Sequence, residues 1–176
     1  MTGDGPVAGH GPVAGDVPVA ASRDRDAGGR ARNARPRDGL GRPLPRGAVG
    51  DADQVPDDLD LGVDESVALA QRYLDDGHPF HAHEVLEALW KTRHPGERDL
   101  WQGLAQVAVG LTHALRGNAT GATTLLRRGV GRIGNYAGDP HDIDVAGVIS
   151  WAEQLAANPT AAAAHTPPRL SAAPIS

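Results

Sequence analysis

The sequence predicts an all-α fold: a small bundle of four to five helices with disordered N- and C-terminal tails. Three observations carry this reading. From about residue 57 the apolar residues recur at three- and four-residue spacing, the period of one helix face. Helix punctuation falls between these stripes, at Gly77, His94-Pro95-Gly96, Gly117-Asn118 and Pro159. No segment alternates apolar and polar residues for long enough to make a useful strand. All six aromatic residues (Tyr73, Phe80, Trp90, Trp101, Tyr136 and Trp151) lie in the same stretch, where they can anchor a core.

These features divide the chain into three parts. Residues 1–56 begin with an imperfect repeat, GPVAGH, GPVAGD, VPVA, and continue from Ser22 to Arg46 as a Gly- and Pro-rich mixture of Arg and Asp. Such a segment buries too little apolar surface to offset its chain entropy, and a disordered tail is expected. Residues 57–158 form the expected helical domain, roughly 100 residues and enough for one modest core. Residues 159–176, with Pro167, Pro168 and Pro174, are expected to be a second disordered tail.

The helices follow in order. The first is expected over Asp64–Asp76, with Asp64 as N-cap, Val63, Val67, Ala70 and Leu74 as its stripe, and Gly77 as the stop. Asp75 and Asp76 oppose the helix dipole at this end. The second starts at Pro79, a favourable first-turn residue, and runs to about Arg93 on Ala82, Val85, Leu86 and Leu89. The third, about Glu97–Arg116, buries Leu100, Leu104, Val107, Ala108, Leu111 and Leu115. Asn118 caps the fourth, which carries Ala122, Leu125, Leu126, Val130 and Ile133, although Gly129 and Gly131 each weaken it by about 1 kcal/mol against Ala. The fifth covers about Asp144–Ala157. Short connections make the first and second helices antiparallel neighbours, and likewise the third and fourth.

Charge and composition exclude several functions. Residues 1–56 hold eight Arg and seven Asp, whereas residues 57–176 hold nine Lys or Arg and fifteen Asp or Glu. An acidic domain is not a dedicated nucleic-acid binder, because phosphate contacts need a basic surface. There is no cysteine, so disulfides, thiolate metal sites and thiol nucleophiles are excluded. No apolar stretch reaches the length of a membrane span, and the start lacks the pattern of a secretory signal. A cytoplasmic location is expected.

The chemistry-bearing residues gather on two helices. On the second, His83 and Glu87 are four apart and project from one side near Trp90, with Glu84 further round. On the third, Gln102, Gln106, Val109 and His113 fall on one line, almost opposite Leu104, Leu111 and Leu115, and Arg116 lies beside it. A fully solvated stripe would favour Lys, Glu or Arg; Gln, Gln and His suit a semi-buried polar pocket. His83, Glu84, Glu87, Gln102, Gln106, His113 and Arg116 are therefore the candidate ligand-binding residues. His83-Glu84-Val85-Leu86-Glu87 departs from the zinc-protease helix by placing Glu where the second His belongs. His83, Glu87 and His113 remain the candidate ligands of a divalent metal, although no cofactor is expected. The simpler reading is a structural network, because buried polar groups need partners with or without a ligand. His78, His81 and His94 flank helix ends, where surface or capping roles are expected.

The segment from about Leu74 to Ile133 resembles the bacterial and archaeal family catalogued as domain of unknown function 309. The matching motifs are AHEVLEALW (Ala82–Trp90), QGLAQVAVGLTHALRGN (Gln102–Asn118) and the pattern at Gly121, Ala122, Leu125 and Leu126. The resemblance implies a helical hairpin core carrying the His-Glu and Gln-His signatures, with His83, Glu84, Glu87, Gln102, Gln106, His113, Arg116 and Asn118 at the matching polar positions. It implies no activity. The long N-terminal segment and the glycines at 129 and 131 depart from it, and put the regularity of the fourth helix in question.

No complete catalytic motif is present. The expected function is a binding or scaffold module with a structural His/Glu/Gln cluster; the alternative is an enzyme or small-ligand receptor using that cluster. A weak homodimer through the second and third helices is also expected, because Trp90 lies at the edge of its stripe and Trp101 near the start of the third helix.

Overall fold

The computed structural model describes residues 36–45, 47–49, 55, 56 and 59–171. Among them are five α-helices: α1 (Val63–Asp75), α2 (Pro79–Thr92), α3 (Arg98–Leu115), α4 (Ala119–Asn135) and α5 (Val145–Ala157). Short 3-10 turns at Pro95–Glu97 and Pro159–Ala164 precede α3 and follow α5. The fold is all-α, as expected. No helix among the described residues is long and apolar enough to cross a membrane.

Local chemistry explains the ends. Pro79 stands in the first turn of α2. The Asn118 side chain accepts the Gly121 N–H at 2.9 Å, and the Asp144 side chain accepts that of Gly147 at 2.9 Å. These bonds satisfy N–H groups that the first helical turn leaves open. Gly77 and Gly117 stop α1 and α3 with φ of 77° and 78°, a backbone region that costs glycine little. One boundary moves: α1 begins at Val63, so Asp64 lies inside its first turn, and Glu65 reaches back to the Gly62 N–H at 3.1 Å.

Successive helices pack as antiparallel neighbours. Tyr73 stacks on His81 between α1 and α2, with ring centroids 5.3 Å apart. Arg116 reaches the Phe80 ring between α3 and α2. The Thr123 hydroxyl donates to the Ala156 carbonyl at 3.2 Å between α4 and α5. Helix α3 is central: it contacts α2, α4 and the 3-10 turn after α5. Its Leu100, Leu104, Val107, Ala108 and Leu111 are buried with Leu74, Ala82, Val85, Leu86, Leu89, Leu126, Ile133, Val148 and Leu155. Residues at these positions were expected to face the core.

Four expectations require correction. The α4 glycines do not interrupt the helix. A Cβ on Gly129 would lie 2.8 Å from the Gly103 carbonyl oxygen, and one on Gly103 would meet Ile133 and Gly129. Small residues here let the backbones of α3 and α4 approach closely. The second correction is His81, expected at the surface: it is 1% exposed and covered by Tyr73. The third is Trp101, which is fully buried, with its indole N–H donating to Glu97 at 2.9 Å. It cannot supply the open apolar face invoked for a dimer.

The fourth concerns the expected tails. Residues 159–171 are packed against the helices, with Ala162 and Leu170 buried. Ile143 and Ser171 form an antiparallel bridge. Apolar burial and backbone pairing thus hold a segment whose prolines suggested disorder. Of the N-terminal tail, residues 1–35 lie outside the described residues. Residues 36–44 form a turn on the end of the α2–α3 hairpin. Asp38 Oδ1 accepts the N–H groups of Leu40 and Arg42, and Gly39 and Gly41 seat against His78 and Phe80.

Candidate ligand site on the second and third helices

Helix α2 places His83, Glu87 and Lys91 on successive turns. His83 Nε2 lies 3.4 Å from Glu87 Oε2, and Lys91 Nζ lies 3.0 Å from Glu87 Oε1. The His83 side chain is 22% exposed and that of Glu87 34%. Burial pushes the His83 imidazole below its ordinary value; Glu87 opposes this and Lys91 reinforces it. Loss of hydration therefore outweighs the adjacent carboxylate. Glu84 lies half-buried on the same helix.

On α3, Gln102, Gln106, Val109 and His113 are all half-buried. They mark the one side of this central helix that the core does not cover. The line read from the sequence is thus a real boundary surface. His113 Nδ1 lies 2.8 Å from Asn118 Nδ2, and Asn118 Oδ1 is already committed to the Gly121 N–H. The Asn118 nitrogen must therefore donate and the imidazole nitrogen accept. Arg116 turns away from the line. It donates to the Leu40 carbonyl and lies over the Phe80 ring, 6.0 Å from its centroid, with Arg37 5.3 Å from the same centroid. Burial lowers the affinity of Arg116 for its proton; Asp38 opposes this, while Arg42 and Arg37 add to it.

The structure engages two of these residues outside the pair on α2. His83 and Glu87 are together; His113 is engaged by Asn118, and Arg116 by the N-terminal turn. No group of three His, Asp or Glu side chains among the described residues could hold a metal ion. The proposed His83–Glu87–His113 ligand set is accordingly not assembled, because the third imidazole is tied to the start of α4.

His83 Nδ1 and Trp90 Nε1 on α2, and Gln106 Oε1 on α3, have no hydrogen-bond partner among the described residues. Native interiors seldom leave such groups open without a reason. The sequence places Trp90 near His83 and Glu87 but assigns it no polar role in that face. Its position seven residues after His83, nearly two helical turns, was the available signal for a shared face. The Arg37–Phe80–Arg116 stack was also missed; the Asp38-Gly39 turn signal could have drawn attention to it.

Residues 67–125, about a third of the chain, match the family model described as Domain of unknown function (DUF309). The match spans most of α1, all of α2 and α3, and the first part of α4. No curated protein and no solved structure matches the chain. The His83–Glu87 pair and the Gln102–His113 line both lie inside the matched residues.

Proposed function

We propose that the domain is a binding module whose α2–α3 polar face receives a neutral, hydrogen-bonding ligand or a partner's amide groups. The observation that carries this is the set of buried open atoms, His83 Nδ1, Trp90 Nε1 and Gln106 Oε1. They include a fixed indole donor and a carbonyl acceptor. An ionic ligand is disfavoured, since Glu87 is already neutralised by Lys91 at 3.0 Å. The enzyme reading retains the His83–Glu87 pair as an acid–base candidate, but no further observation favours it.

Fragment titration followed by NMR tests the proposal. Small amides should shift the signals of the His83, Trp90 and Gln106 side chains together in the full-length protein. Gln106→Leu should abolish these shifts while leaving the helical content unchanged. Shifts scattered over the surface, or the same response in Gln106→Leu, would overturn it.

A further inference from the structure

The side of α3 opposite the polar line faces a different kind of site. Leu74 of α1, Leu86 of α2, Leu104, Val107, Ala108 and Leu111 of α3, and Trp151 of α5 line an apolar groove. Residues 166–171 lie across it in place of a sixth helix.

The groove holds this segment through backbone atoms. Gln71, only 1% exposed, donates its amide N–H to the Pro168 carbonyl at 3.2 Å and accepts the Leu170 N–H at 2.8 Å. The Trp151 indole donates to the Thr166 carbonyl at 2.7 Å, and the Asp144 N–H to the Leu170 carbonyl at 2.9 Å. A side-chain amide that bonds a carbonyl and the N–H two residues later reproduces what a neighbouring β-strand offers an extended chain.

Side-chain alternation supplies the selectivity. Pro168 and Leu170 are buried, while Arg169 between them is exposed and lies 3.8 Å from Asp75. Asp75 also accepts a Gln71 amide N–H at 2.9 Å, so it orients the amide and attracts the basic residue. Two inward side chains separated by an outward basic residue match the period of an extended strand.

We propose that this groove is a docking site for an extended partner peptide carrying an apolar–basic–apolar triplet, with residues 166–171 as the displaceable occupant supplied by the chain itself. Two observations favour displacement. A small crevice remains between Pro168 and Leu170 and the groove floor. Gln71, Leu74, Leu86, Leu104 and Leu111 lie within the family match, whereas residues 166–171 lie outside it. Most of the groove floor thus lies within the matched residues, while Trp151 and the occupant lie outside them.

The test uses the full-length chain and a fluorescent synthetic peptide spanning residues 165–171. Leu170→Ala, which weakens the internal occupant, should bind this peptide at least tenfold more tightly than the wild type. Adding Gln71→Leu should remove that gain, as should replacing Pro168 and Leu170 of the peptide by Ser. Equal binding by all variants, or no binding to folded Leu170→Ala, would overturn the proposal. So would a concentration-dependent Leu170→Ala dimer that ignores the peptide. Hydrogen exchange on the wild type provides a check that needs no variant. The Leu170 amide should exchange at least tenfold faster than those of Leu104 and Leu111. Equal protection would mean that the segment opens only on global unfolding, and would also overturn the proposal.

Discussion

The Gln71 side-chain carbonyl accepts the Leu170 backbone N–H at 2.8 Å across 99 positions of sequence, in an environment closed to solvent. That bond joins the first helix to the last described segment and turns an expected tail into part of the domain. It also accounts for Asp75, which is unfavourable at a helix C-terminus yet accepts a hydrogen bond from the same amide at 2.9 Å.

Removing this amide should therefore be costly. Gln71→Leu keeps most of the volume but leaves the Leu170 N–H and Pro168 carbonyl without that partner. The expected loss is about 2–4 kcal/mol, since each buried unsatisfied group costs about 1–3 kcal/mol. Urea unfolding at neutral pH measures it, and a loss below about 0.5 kcal/mol would show that the segment contributes little to stability.

Two glycines on one helix should respond with opposite signs. A Cβ on Gly131 meets open space, so Gly131→Ala should stabilise the domain by about 0.5–1 kcal/mol through helix propensity. A Cβ on Gly129 meets the α3 backbone, so Gly129→Ala should destabilise by about 1–3 kcal/mol through overpacking. Thermal melts of the two variants decide the matter. Stabilisation by both would refute close packing of α3 on α4.

Acid should weaken the fold through His83. Burial, the largest influence, holds the folded imidazole below its ordinary value of 6.5. The unfolded chain therefore binds the proton more readily, and folding stability rises with pH over the interval between the folded and ordinary values. The contribution is fully present above about 6.5 and is lost as pH falls below it. His83→Gln should flatten this part of the stability–pH curve. An unchanged slope would assign the acid sensitivity to other groups.

The N-terminal turn offers a local test. Gly41 has φ of 74°, and a Cβ there would overlap the Phe80 ring. Gly41→Ala should release residues 36–44 from Phe80 and Arg116, and raise trypsin cleavage after Arg37 by about tenfold, a local opening of roughly 1.4 kcal/mol. The melting transition of the helices should barely move. Cleavage at the wild-type rate would show that the turn tolerates the added atom.

What the sequence determined by itself was local. The apolar period placed all five helices, and the stop and cap residues Gly77, Gly117 and Asn118 act as their chemistry requires. The His83–Glu87 pair and the half-covered α3 line were equally legible. Each depends on residues three to eleven apart on one helix, where side-chain direction follows from helical geometry. Tertiary structure decided what lies opposite. It brought Gly103 against Gly129, buried Trp101 and His81, drew Arg116 to Leu40, tied His113 to Asn118, and laid Leu170 on Gln71. None of these follows from periodicity, because a glycine, a tryptophan or a proline-rich segment acquires its role from the surface that packs against it.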